Sequence, residues 1–139
     1  MINLKHRNGK SKQKWILIGG TAVLIALALT PYGLVAEWFP AFGYFVDTLF
    51  SSQLSHFVGH MGIFLLMGTA VLLVFPKLQQ KPQFYFALMA VLAFLQEFLQ
   101  IITFKNRPVN GSDIFDFVTD MTAATIVYCV IKLYFSEDK

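Results

Sequence analysis

The chain has 139 residues, of which 56% are hydrophobic and 14% charged, and its mean hydropathy is +0.60. Soluble domains carry about 25% charged residues, so this composition argues against a soluble globular protein. It also excludes a disordered chain, which needs low hydrophobicity and high charge. The net charge of +3 is too small to argue for nucleic acid, and the single cysteine, Cys129, cannot form an intramolecular disulfide.

A basic tail, residues 1–14, precedes the first apolar stretch, residues 15–36. A membrane helix needs about 20 apolar residues, so this stretch predicts a membrane helix that Pro31 kinks or ends. The basic tail and the triplet Ala26-Leu27-Ala28 are also similar to a cleavable signal peptide. Because the apolar run continues past the triplet and through Pro31, we expect a retained anchor instead.

The next segment, 37–55, is amphipathic and aromatic, which is typical of an element lying in the membrane–water interface. Three further apolar stretches are each long enough for a membrane helix: 56–75, 84–102 and 117–135. Pro76 follows the first of them and Pro82 precedes the second, as expected of a residue that starts or stops helices. The sequence therefore predicts an all-α protein, an integral membrane four-helix bundle in one domain, 15–136.

If the chain crosses the membrane four times, its positive charges lie mostly on one side of the membrane. Nine Lys and Arg residues lie in the N-terminal tail, the loop after the second span and the C-terminal end, whereas only Lys105 and Arg107 lie on the other side. Cytoplasmic loops are enriched in Lys and Arg. Both termini are therefore predicted in the cytoplasm, and segments 37–55 and 103–116 are predicted outside.

Polar side chains recur at one depth of three predicted helices. They form pairs three or four residues apart, and each pair shares a helix face: His56 and His60, Glu97 and Gln100, and Asp116 and Asp120. At a rise of 1.5 Å per residue, the deeper ionisable member of each pair lies about 6–7 Å inside the outer helix end. Ionisable residues within membrane spans are costly and indicate function. We therefore expect one outer-facing pocket formed by these residues, with Arg107 at its mouth.

Two further expectations concern single residues near this pocket. Ser112 or Asp113 is predicted to cap the fourth helix, whose positive dipole end favours carboxylates. Arg107 could pair with a carboxylate or bind an anionic headgroup. Glu97 is predicted to be the most sensitive position, because a buried carboxyl without a partner is strongly destabilising.

The order and spacing of these motifs resemble the VanZ-like family of small bacterial membrane proteins, over about residues 50–130. The matching motifs are His56-Phe57, Glu97-Phe98-Leu99-Gln100, Arg107, and Asp113-Ile114-Phe115-Asp116. Asp120 stands where the family has an Asn, and His60 stands where it has an aromatic residue. The resemblance implies a multi-pass protein of the bacterial cytoplasmic (inner) membrane.

The namesake of that family is associated with low-level resistance to the glycopeptide teicoplanin, and no reaction is generally established for it. The resemblance thus implies a non-catalytic accessory or ligand-binding role in the cell envelope. The partners expected are membrane lipids, a lipid-linked or glycopeptide ligand, or a larger membrane protein complex, and no nucleic acid. The candidate ligand-binding residues are His60, Gln100, Arg107, Asp113 and Asp120.

The same residues leave other functions open. A membrane-embedded enzyme could act on a lipid-linked envelope substrate at the outer leaflet, with His56, Glu97 and Asp116 as catalytic candidates. The histidine pair with Glu97 and Asp120 could also ligate zinc. However, the chain has no His-Glu-x-x-His signature, and helix-core networks without metal are commoner, so no metal and no other cofactor is predicted.

Overall fold

The structure, a computed structural model, describes residues 4–103 and 111–136. This part of the chain contains six α-helices, a short 3-10 helix and no β-strand, which confirms the all-α prediction. The α-helices are α1 (Leu4–Ala28), α2 (Tyr32–Trp38), α3 (Pro40–Leu49), α4 (Gln53–Val74), α5 (Pro82–Thr103) and α6 (Gly111–Ser136). Of these, α4, α5 and α6 are each long and apolar enough to cross a membrane.

The first predicted span is broken into two helices. α1 ends at Ala28, α2 begins at Tyr32, and the two are bent by 76° relative to each other. Pro31 lies at the break, because proline lacks the N–H that continues a helix and its ring clashes with the preceding turn. The break predicted at Pro31 is therefore confirmed, and the pair makes a fourth crossing only if α1 and α2 together form one broken span.

Aromatic side chains cover the outside of the segment between the broken pair and α4. Five large side chains of this segment are exposed: Trp38, Phe39, Tyr44, Phe45 and Leu49. α4 then begins at Gln53, three residues before the predicted start at residue 56. Its first turn is held by a capping box, in which the Ser52 hydroxyl accepts from the Ser55 N–H and the Ser52 N–H donates to the Ser55 hydroxyl.

The last helix differs most from its predicted position. α6 already includes Gly111, six residues before the predicted start at residue 117. Ser112 and Asp113 therefore lie inside the helix, and the prediction that one of them caps it is wrong. The consequence is that Asp113 and Asp116, which the sequence placed before the helix, both project from its first two turns and are both buried.

The apolar core occupies the half of the bundle that contains the 3-10 helix Pro76–Gln80. α4 packs against α1 and α6, and α5 packs against α6. The Tyr85 hydroxyl of α5 is fully buried and donates to the Ala124 carbonyl of α6, while the Tyr128 hydroxyl donates to the Gln79 carbonyl. These bonds join the helices at the end near Lys77 and leave the polar residues together at the opposite end.

A close approach between backbones positions α2 beside that polar end. Gly33 of α2 packs on α5 so tightly that a Cβ there would lie 2.6 Å from the Thr103 carbonyl oxygen. Only glycine allows two backbones to approach this closely. The contact holds the neighbouring Tyr32 against the region described next.

Candidate functional site

His60 is the centre of a buried polar cluster formed by α4, α5 and α6. Its ring nitrogen Nδ1 lies 3.0 Å from Asp120 Oδ1 and 3.8 Å from Glu97 Oε1. The other ring nitrogen, Nε2, lies 3.9 Å from Asp116 Oδ2. All four side chains are buried, and Asp120 is completely inaccessible to solvent. Three helices thus direct three carboxylates at one imidazole, as the matched depth of these residues predicts.

Several polar atoms of this cluster make no hydrogen bond. Within 4–103 and 111–136, the buried atoms without a partner are both carboxylate oxygens of Glu97, Oδ2 of Asp120 and the side-chain oxygen of Gln96. Glu97 Oε1 faces His60 Nδ1 at 3.8 Å, which is within ion-pair distance but too long for a hydrogen bond. A buried polar atom left unpaired usually marks a strained, functional or ligand-bound position.

His56 links the cluster to solvent. It lies one turn before His60 and is partly exposed, and the two imidazole rings are stacked with centroids 6.4 Å apart. The Phe50 ring covers its other side at 5.5 Å. One side-chain nitrogen or oxygen from each of His56, His60 and Asp116 lies within 4.8 Å of the other two. A group bound at His56 can therefore also contact His60 and Asp116.

A cavity of about 320 Å³ opens beside the two histidines. Its polar lining consists of Tyr32, Asp47, His56, His60, Gln96 and Gln100, and its apolar lining of Ala28, Val46, Phe50, Gly59 and Ile63. The broken pair and α3 supply one wall, and α4 and α5 supply the other. A second, more open groove runs between α4 and the start of α6 and includes His56 and Asp116.

The structure places the predicted site residues in three separate positions. His56, His60 and Gln100 line the cavity, His56 and Asp116 line the groove, and Glu97 and Asp120 lie behind His60 and line neither. The carboxylates of Glu97, Asp116 and Asp120 nevertheless all lie within 4.0 Å of the His60 ring. That these residues and His56 form one outer-facing pocket stays a prediction. Asp113 is buried in the first turn of α6, and Arg107 lies outside the described residues.

Three residues of the cavity were not predicted from the sequence. Tyr32 follows the helix break, and Asp47 is the one acid of α3. Gln96 precedes Glu97 in an apolar run, and its side-chain nitrogen lies 3.5 Å from His60 Nδ1. A polar residue inside an otherwise apolar helix is the available signal for Gln96, because burial of such a residue demands a partner.

This arrangement concentrates acid groups in an apolar environment. The buried carboxylates of Glu97, Asp116 and Asp120 surround the buried imidazole of His60. One imidazolium cannot neutralise three carboxylates, and an uncompensated buried charge is strongly unfavourable. The cluster can therefore hold protons, a cation or the cationic group of a ligand.

Comparisons of the chain with protein-family models, with curated proteins and with solved structures find no match. The resemblance to the VanZ-like family remains an expectation based on the motifs of the sequence.

Proposed function

We propose that this chain is a VanZ-like integral membrane protein of the bacterial cell envelope that binds an amphiphilic ligand without transforming it. The observation that carries the proposal is the cavity of about 320 Å³, whose lining combines apolar side chains with several polar ones. Ligand sites in proteins are typically concave, mostly apolar and supplied with a few convergent polar groups. Alone, or as an accessory subunit of a larger membrane complex, the protein would present this cavity at the outer leaflet.

The lining of the cavity supports a ligand that carries hydrogen-bond donors or an amine. Asp47 supplies a carboxylate, Gln96 and Gln100 supply amide oxygens, and His56 and His60 supply ring nitrogens. Buried carboxylates stand immediately behind His60, so the potential at the inner end favours positive charge. A glycopeptide with a free amine, or the polar head of a lipid-linked envelope precursor, meets both requirements.

The proposed membrane arrangement has four crossings, with the broken pair as the first and both termini in the cytoplasm. Lys77 and Lys81 lie at the end of the bundle opposite His60, and Lys132 lies near them, its ammonium 5.9 Å from the centre of the Tyr128 ring. Lysine at the cytoplasmic end agrees with the charge rule for membrane proteins. The cavity then faces outward.

This topology predicts opposite labelling of two exposed positions. In a Cys129→Ala background, Tyr44→Cys should react with a membrane-impermeant maleimide in intact cells, whereas Gln80→Cys should react only after the membrane is permeabilised. Both side chains are exposed, so accessibility from one side decides the result. Labelling of position 80 in intact cells contradicts the proposed topology.

One observation favours an enzyme as the second candidate function. His56 is partly exposed, lines both the cavity and the groove, and stacks on His60, which is bonded to Asp120. An accessible imidazole backed by buried acids is suited to general acid–base catalysis. The enzyme would act on a lipid-linked envelope substrate, with Glu97 and Asp116 tuning the charge of the histidines.

Filling the cavity should abolish ligand binding. Ile63 lines the cavity, and Ile63→Trp should occupy its apolar part, whereas Leu66→Trp, three residues along α4 and 60% exposed, should not. The measurement is calorimetric titration of the purified protein in detergent, with teicoplanin and with a lipid-linked disaccharide-peptide precursor that carries a free amine as separate probes. We expect wild type and Leu66→Trp to bind at least one probe, and Ile63→Trp to bind it at least about tenfold more weakly, which corresponds to 1.4 kcal/mol.

The same samples distinguish the two functions. Mass spectrometry of each probe after incubation should find it unchanged if the protein only binds it. A product that disappears in His56→Ala, while binding persists, supports the enzyme and contradicts the non-catalytic role. Equal binding by Ile63→Trp and wild type contradicts the cavity as the ligand site.

A further inference from the structure

We propose that His60, Glu97 and Asp120 form a binding site for one divalent transition-metal ion of the zinc class. His60 lines the cavity, and Glu97 and Asp120 lie behind it. This proposal goes beyond the ligand-binding role and does not depend on it. It also departs from the absence of metal that the sequence predicts, because the relevant contacts arise only when α4, α5 and α6 pack together.

The distances between the three residues suit a common metal ion. Bonds of about 2.0–2.2 Å in tetrahedral geometry place the ligand atoms of zinc about 3.3–3.6 Å apart. His60 Nδ1 lies 3.0 Å from Asp120 Oδ1 and 3.8 Å from Glu97 Oε1, a few tenths of an ångström to either side of this spacing. One ligand atom from each of the three residues lies within 4.8 Å of the other two, so the remaining pair needs to close by about 1.5 Å at most.

The unpaired oxygens provide an independent reason to expect a cation. Glu97 is 6% exposed, both of its carboxylate oxygens lack a hydrogen-bond partner among the described residues, and Oδ2 of Asp120 also lacks one. One oxygen of each carboxylate lies within 4.0 Å of His60 Nδ1. A divalent ion between them would bind the carboxylates of Glu97 and Asp120 and offset their charge in a place where uncompensated charge is unfavourable.

The chemistry of the donors selects the class of metal. Imidazole nitrogen with carboxylate oxygen suits zinc and its first-row neighbours, whereas calcium and magnesium prefer oxygen ligands alone. Ligating histidines are commonly oriented by a carboxylate at the other ring nitrogen. Asp116 Oδ2 lies 3.9 Å from His60 Nε2 and would take that role by moving about 1 Å closer. His60 itself lines the cavity, which gives an ion a route from solvent.

The test is titration of the full chain with metal alone. Protein without a histidine tag is purified in detergent, stripped with EDTA and titrated with Co²⁺, followed by its visible d–d absorption, and with Zn²⁺, followed by calorimetry. We expect one ion per chain. Glu97→Gln and Asp120→Asn should each weaken binding by at least about 100-fold, and Asp116→Asn should weaken it by about 10–100-fold, as outer-shell changes do.

Asp47→Asn is the matched control, because Asp47 is an exposed acid of the same cavity that is outside the proposed ligand set. Its affinity for Co²⁺ should equal that of wild type. Circular dichroism and gel filtration of every variant show whether it is folded. Absence of Co²⁺ and Zn²⁺ binding to folded wild type would overturn the proposal, as would full affinity in folded Glu97→Gln. Tighter binding of Ca²⁺ or Mg²⁺ than of Zn²⁺ would also overturn it.

Discussion

Replacing His60 with leucine should lower the free energy of unfolding by about 3 kcal/mol, because removal of one partner leaves a buried charge uncompensated. The substitution deprives Asp120 Oδ1 of its 3.0 Å contact and removes the imidazole that Glu97 and Asp116 face. The measurement is equilibrium unfolding in mixed micelles. EDTA is present throughout, so that bound metal makes no contribution.

His56→Leu is the control for this prediction, because His56 lies on the same helix but is partly exposed. It should change the unfolding free energy by less than about 1 kcal/mol. The double variant His60→Leu/Asp120→Leu should lose less unfolding free energy than the sum of the losses in the two single variants, by at least about 1 kcal/mol. The reason is that the second substitution removes the carboxylate that the first leaves without a partner. Additive losses would mean that the two side chains do not interact.

Gly33→Ala has the second large expected effect and should cost about 1–3 kcal/mol, as overpacking does. The added methyl would lie 2.6 Å from the Thr103 carbonyl oxygen and 2.8 Å from its carbonyl carbon. Backbone atoms of a helix cannot rotate away as a side chain can, so α2 must separate from α5. Because Tyr32 adjoins Gly33 and lines the cavity, the same variant should also weaken ligand binding.

Gly62→Ala provides the comparison, since a Cβ at Gly62 meets no atom within 4 Å. We expect this variant to be as stable as wild type, or more stable by at most about 1 kcal/mol, because alanine is the better helix former. Equal stability of Gly33→Ala and wild type would show that α2 does not pack closely on α5.

The fold follows from the sequence wherever a local rule determines it. Pro31 breaks a helix by its own stereochemistry, and the apolar lengths of α4 and α5 predict their positions to within three residues. The start of α6 could not be derived in this way. Asp113 and Asp116 indicate a loop or cap when only neighbouring residues are considered, but tertiary packing buries both of them inside the helix.

The depth of the site residues along their helices could be predicted from the sequence, but the directions in which their side chains point could not. A helix rises by a fixed amount per residue, so the common level of His60, Glu97 and Asp120 follows from counting. The rotation of each helix about its own axis depends on the packing of its neighbours. Gln96 and Glu97 are consecutive, yet Gln96 lines the cavity and Glu97 lies behind it.

The break at Pro31 also affects the lipid around the protein. In the proposed arrangement the apolar part of α1, residues 15–28, is about 21 Å long, against a hydrocarbon thickness of about 30 Å. Because α2 is bent by 76° from α1, it adds little to this length, so we expect this side of the protein to be hydrophobically mismatched and the bilayer to thin beside α1. Thinning lowers the headgroups of the outer leaflet to the level of Ala28 and Tyr32, two residues of the cavity wall. A lipid-borne ligand would then meet the cavity with its headgroup first.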